Sequence, residues 1–131
     1  MEIPNKASTI LCVDDNEIHA YAMVHALKHE GFKMLLAHTG EDALVLTLRH
    51  LPDLVLLDIN LPDINGFEVC KRIKEDPQTH AIPVVFHTGT SANASSSLRA
   101  EIVGAAAFLT VPVDHQELLT VIRGCIARNS V

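Results

Sequence analysis

Unbroken apolar runs, spaced by helix-length segments, constrain this chain more than any other feature. Ile10-Leu11-Cys12-Val13 runs into Asp14-Asp15, and Leu54-Val55-Leu56-Leu57 runs into Asp58. Val84-Val85-Phe86 runs through His87 to Thr88, and Phe108-Leu109 runs into Thr110-Val111-Pro112. Met34-Leu35-Leu36-Ala37 reads as a further strand, second in chain order. Runs without apolar-polar alternation suit strands covered on both faces, which is the condition of a parallel sheet. In open parallel sheets the chemistry gathers at the carboxyl ends of the strands. Three aspartates and a threonine stand at such ends here.

The segments between the runs carry helical periodicity. Ala20, Met23, Val24 and Leu27 share one face, and Gly31 closes that helix. Thr39-Gly40-Glu41-Asp42 resembles a capping box, followed by a stripe of Leu44, Thr47, Leu48 and Leu51 that ends before Pro52. Phe67, Cys70 and Ile73 face inward from a third helix that stops near Pro77. Ser91 to Val103 reads as a fourth helix, Ser-rich and weak at its start, and Ser91 to Ser97 is expected to be the mobile element nearest Thr88. After a fifth strand from Ala106 to Thr110, Asp114-His115-Gln116-Glu117 opens a last helix with the stripe Leu118, Val121, Ile122 and Cys125. Five strand-helix units with right-handed crossovers make a three-layer α/β sandwich.

A chain of 131 residues is long enough for one sizeable core, and 48% hydrophobic content argues against disorder. Residues 1–131 are therefore expected to form a single domain with a core of about 8–129. The net charge of -6 disfavours electrostatic binding to nucleic acid. No run is long enough to span a membrane, and Met1 to Pro4 lacks the features of a signal peptide, so a cytoplasmic protein is expected. Cys12, Cys70 and Cys125 form no CxxC pair and read as reduced thiols. His25 and His29 share a helix spacing without a third ligand, which suits a solvated face.

With strand order 2-1-3-4-5, the first and third strands deliver Asp14, Asp15 and Asp58 to one crevice. An aspartate after a strand is ordinarily a turn former or cap, but the coincidence of both sites at the switch point is far rarer. Carboxylates so close stay ionised together only beside a cation. An oxygen-only donor set selects a hard ion, Mg2+ before zinc. Asp58 could then act as a nucleophile towards phosphorus, with the Thr88 hydroxyl on a phosphoryl oxygen.

At these residues the sequence resembles the receiver domain of bacterial response regulators. The resemblance rests on Ile10 to Asn16, Pro52 to Gly66, Pro83 to Gly89 and Gly104 to Pro112, and it covers nearly the whole chain. It implies a flavodoxin-like fold with five parallel strands and five helices. It implies that Asp58 takes a phosphoryl group from a phosphohistidine on a sensor histidine kinase or histidine phosphotransfer protein. Asp14, Asp15 and Asp58 would hold Mg2+ with the backbone carbonyl of Asn60. Thr88 would be the switch hydroxyl, Phe108 the switch aromatic, Gly89 the small residue beside the phosphoryl group, and Pro112 would follow a cis peptide bond. Output would pass through the face of the fourth helix, fifth strand and fifth helix, in a monomer or weak dimer. The departure is Val111, where the family usually carries a lysine. Valine can neither donate a hydrogen bond nor carry charge, a loss of about 2–3 kcal/mol for a charge-assisted contact. His87, Arg99 and His115 are the nearby candidates to compensate, although strand alternation turns His87 to the face opposite Thr88.

Two rival readings differ from a phosphoacceptor. A phosphorylation-independent pseudo-receiver would keep the fold as a protein-interaction module; Val111 favours it and the acidic triad opposes it. An aspartyl phosphatase needs a second acid two residues on, where Asp58-Ile59-Asn60 supplies an amide. The protein is accordingly expected to be a signalling domain rather than an enzyme.

Overall fold

A computed structural model of the chain describes residues 7–89 and 93–129. In chain order the elements are β1 (Thr9–Val13), α1 (Glu17–His29), β2 (Lys33–Ala37), α2 (Gly40–His50), β3 (Leu54–Leu57), α3 (Gly66–Glu75), β4 (Val84–Thr88), α4 (Ala94–Ile102), β5 (Ala107–Thr110) and α5 (His115–Asn129). The strands form one parallel sheet of order β2-β1-β3-β4-β5. This is the order expected from the sequence. Val13 stands beside Leu57 in the register, so the loops after β1 and β3 leave the sheet side by side.

Alternate side chains of each strand feed two cores. Leu11, Val13, Val55, Leu57, Val84 and Phe86 pack under α2, α3 and α4. Ile10, Leu54, Leu56, Val85 and Leu109 pack under α1 and α5. Each fully buried side chain of this size contributes about 1.5–3 kcal/mol through the water it sheds. Burial on both faces explains why the runs do not alternate. Cys12, Cys70 and Cys125 are buried free thiols; burial pushes the Cys12 thiol up to about 12, with Asp14 and Asp58 adding to it, so it stays protonated. Among the described residues no helix is long and apolar enough to cross a membrane.

Helix ends follow local chemistry. Asn16, Thr39, Asn65 and Asn93 cap α1, α2, α3 and α4, each accepting a backbone N–H of the first turn. Gly31, at φ +100°, ends α1 with its N–H on the Lys28 carbonyl.

Two expectations need correction. The buried face of α2 is Gly40, Ala43 and Thr47, while Leu48 and Leu51 are 46% and 53% exposed. The helix is turned so that Gly40 meets Ile64, a position where a Cβ would collide with that side chain. Thr47 is admitted to the core because its hydroxyl donates to the Ala43 carbonyl at 2.6 Å. Leu51 lies beyond the helix in the left-handed region at φ +46°. The fourth helix begins at Ala94, not Ser91, because Asn93 takes the capping position; Ser91 and Ala92 lie outside the described residues.

Candidate functional site

The site is assembled at the carboxyl rim of β1, β3 and β4. Asp14 extends β1 by one residue: its N–H donates to the Ala37 carbonyl at 3.0 Å, and the residue is 4% exposed. Its carboxylate accepts from the Asn16 N–H at 2.9 Å and is bonded to Nδ1 of His19 in the first turns of α1. Its carbonyl accepts from Nδ1 of His38 at 3.0 Å. Asp15 is exposed at the rim. The Asp58 N–H donates to the Val13 carbonyl at 3.0 Å, which sets its side chain beside the pair. One carboxylate oxygen from each of Asp14, Asp15 and Asp58 lies within 4.8 Å of the others.

Asp58 is half-buried and oriented from two sides. Its Oδ1 accepts from the Thr88 hydroxyl at 3.0 Å and from the Asn60 N–H at 3.3 Å. Burial raises its pKa and Asp14 adds to the rise, while the Asn60 and Thr88 hydrogen bonds pull the other way. Among the described residues no Lys or Arg pairs with any of the three carboxylates. The geometry is therefore a concentrated negative charge, built of oxygen donors alone and without a Lys or Arg partner. That donor set fits a hard divalent cation such as Mg2+, which prefers carboxylate oxygens and retains waters.

The other candidates named from the residue order divide. Gly89 adjoins open space: a Cβ there would meet nothing within 4 Å. Phe108 packs on Phe86, ring centroids 6.2 Å apart, and Phe86 on Phe67 at 5.3 Å. Asn60 is exposed above Asp58. The Val111-Pro112 peptide is cis, and the Val111 N–H donates to the Thr88 carbonyl at 2.8 Å. The Val111 side chain helps to line an apolar cleft of about 500 Å³ between α1 and the loop before α5, together with Met23, Pro112 and Leu118.

None of the three compensating candidates pairs with Asp58. His115 meets Glu30 at 3.2 Å, and the Arg99 guanidinium sits 4.2 Å from the centroid of the Phe67 ring. His87 points to the α1 face, as strand alternation requires, and stacks on His19 with centroids 5.3 Å apart. Burial drives its pKa down to about 4, His19 lowers it further and Asp14 opposes, so it is neutral at pH 7.

Sequence reading missed His19, His38 and Asp63. His19 stands one turn beyond the Asn16 cap, a spacing that could have placed it beside Asp14. His38 follows β2 at the same rim as Asp14. Asp63 accepts from the Gly40 and Glu41 N–H groups at 2.8 and 2.9 Å, a contact no local pattern encodes.

Comparison with known proteins gives a consistent result. The family model described as "Response regulator receiver domain" matches residues 10–123. Protein PilH of Pseudomonas aeruginosa is 36% identical over 118 residues, covering 90% of this chain and 97% of PilH. Response regulator PleD of Caulobacter vibrioides is 37% identical over 117 residues, 89% of this chain but 26% of PleD. A CheY-like response regulator receiver domain protein of Methanospirillum hungatei superposes with a TM-score of 0.88 at 26% identity, over 95% of this chain and 98% of that one.

Proposed function

This chain belongs to the response regulator receiver domain family, and from that premise we propose that it accepts a phosphoryl group on Asp58 in a two-component phosphorelay. The donor is a phosphohistidine on a sensor histidine kinase or phosphotransfer protein. The observation that carries this reading is the convergence of Asp14, Asp15 and Asp58, with the Thr88 hydroxyl bonded to Asp58.

Asp14, Asp15, Asp58 and the Asn60 carbonyl would hold Mg2+, which when bound offsets the charge of the carboxylates and of phosphoryl oxygens. The residues of the chain do the rest. Thr88 and the Asn60 N–H fix the plane of the Asp58 carboxylate, so an oxygen meets phosphorus without a search for orientation. That oxygen forms the new O–P bond as the N–P bond of the donor breaks and its electron pair returns to the imidazole. Thr88 can then turn its hydroxyl to a phosphoryl oxygen.

In the presence of Mg2+ and a small phosphodonor such as acetyl phosphate, intact-mass measurement is expected to show one phosphoryl adduct on the native chain and none on Asp58→Asn. An unmodified native chain would reject the phosphoacceptor reading and leave the binding-only module, which Val111 favours. Val111 supports a further feature: activation coupling that is weakened or rerouted, because the position offers no ammonium. Val111→Lys is expected to lengthen the life of the phosphorylated form or to tighten its partner binding; neither changing would refute that assignment.

A further inference from the structure

Among the described residues β2 is an edge strand and pairs only with β1. Its last residue and those that follow nevertheless touch both arms of the carboxylate site. On one side, the Ala37 carbonyl accepts from the Asp14 N–H, and His38 donates to the Asp14 carbonyl at 3.0 Å. On the other, the Gly40 and Glu41 N–H groups donate to the two oxygens of Asp63, in the loop that leads from Asp58 to α3. Ile64 of that loop fills the notch at Gly40, where no side chain could fit. The same loop is closed on itself by the Gly66 N–H on the Ile59 carbonyl at 2.8 Å. These ties serve opposite ends of the site: Asp14 and Asp15 on the first arm, Asp58 and Asn60 on the second.

Helix α2 does not need Asp63 simply to begin. Thr39 already caps it through the Asp42 N–H at 3.1 Å. The two N–H groups that Asp63 takes are further donors of that end without a partner inside the helix, and taking them fixes the loop as much as the helix. The positive end of the helix holds the Asp63 carboxyl below the usual carboxylate range through the Glu41 and Gly40 N–H groups, so Asp63 is charged across neutral pH.

We propose that residues 37–41 form a strap that holds the loops of the two arms in place beyond the direct β1–β3 pairing, with His38 and Asp63 as positioning residues for the divalent-cation site. The inference rests on the reading of that site as a Mg2+-dependent phosphoacceptor. Its physical basis is preorganisation. A site whose arms are held at the right spacing binds without first recruiting a minor conformation, and a loosened site binds more weakly in proportion to the fraction correctly arranged.

The test compares Mg2+ affinity with stability in four variants of the full chain. Mg2+ is titrated against backbone amide NMR shifts at Asp14, Asp15 and Asn60, and stability is read from urea unfolding. Asp63→Ala is expected to weaken Mg2+ binding about three- to tenfold, and His38→Ala to act in the same direction. Asp63→Asn keeps one oxygen acceptor and is expected to recover part of the affinity. Ile122→Val removes one buried methylene from α5, in the core on the opposite face of the sheet, without touching residues 37–41 or the loop. It is expected to lower the urea midpoint while Mg2+ affinity stays within twofold of native. Asp63→Ala that loses stability yet binds Mg2+ as the native chain does would overturn the strap. A native chain that binds no Mg2+ would instead overturn the phosphoacceptor reading, and the strap with it.

Discussion

Acidification offers a direct test of the buried histidine on β4. His87 is 6% exposed, stacked on His19 and neutral in the fold, with its pKa lowered from 6.5 to about 4 chiefly by burial. In the unfolded chain the ring is hydrated and titrates near its ordinary value. Between the two values the unfolded state binds the extra proton, so stability rises with pH. The contribution is complete above about pH 6.5 and is lost as pH falls towards 4. The full span corresponds to about 3 kcal/mol, and the part lost between pH 8 and pH 5 to about 2 kcal/mol. For a domain with about 5–15 kcal/mol in all, this is a large share. Urea unfolding at pH 8, 7, 6 and 5 is the assay, with His87→Val as the comparison, since valine suits a buried strand and cannot titrate. The native midpoint is expected to fall by about 1 M more than that of the variant over this range. Groups that do not interact with His87 remain in both proteins and cancel, Asp58 among them, whose raised pKa acts in the opposite sense. Parallel pH profiles for the two proteins would refute the assignment of His87 as a neutral buried ring.

Other perturbations probe the site and the core. Asp58→Asn is expected to raise the urea midpoint at pH 7 without Mg2+, because burial penalises the ionised carboxylate and that penalty is complete above its raised folded-state pKa; an unchanged or lower midpoint would count against that penalty. Mg2+ at about 10 mM is expected to raise the native midpoint and to do so less in Asp15→Asn, as binding to the folded form alone must; equal responses would place the ion elsewhere. Phe86→Ala is expected to cost about 3–5 kcal/mol, since that ring is fully buried between Phe67 and Phe108; a loss below about 1 kcal/mol would show the aromatic stack to be loosely packed.

Much of this protein was legible in its residue order, for a local reason. Strand and helix periods, caps and breakers act over a few residues, so the five β/α units and the ends of the strands could be read directly. The right hand of crossovers then left few topologies, and the order 2-1-3-4-5 brought Asp14, Asp15 and Asp58 to one rim. The orientation of His87 away from Thr88 likewise followed from the twofold alternation of a strand. What depended on packing between distant segments was not readable. The rotation of α2 is decided by Ile64 against Gly40, the pairing of Asp63 with the start of α2 by a loop 22 residues away, and the contact of His19 with Asp14 by how α1 leaves the sheet. His115 and Arg99, near the site in the order of the chain, are drawn to Glu30 and Phe67 instead. Local propensity names the groups that can carry chemistry; only the packed sheet and helices decide which of them meet, because contact between distant segments is set by the shape of the whole core.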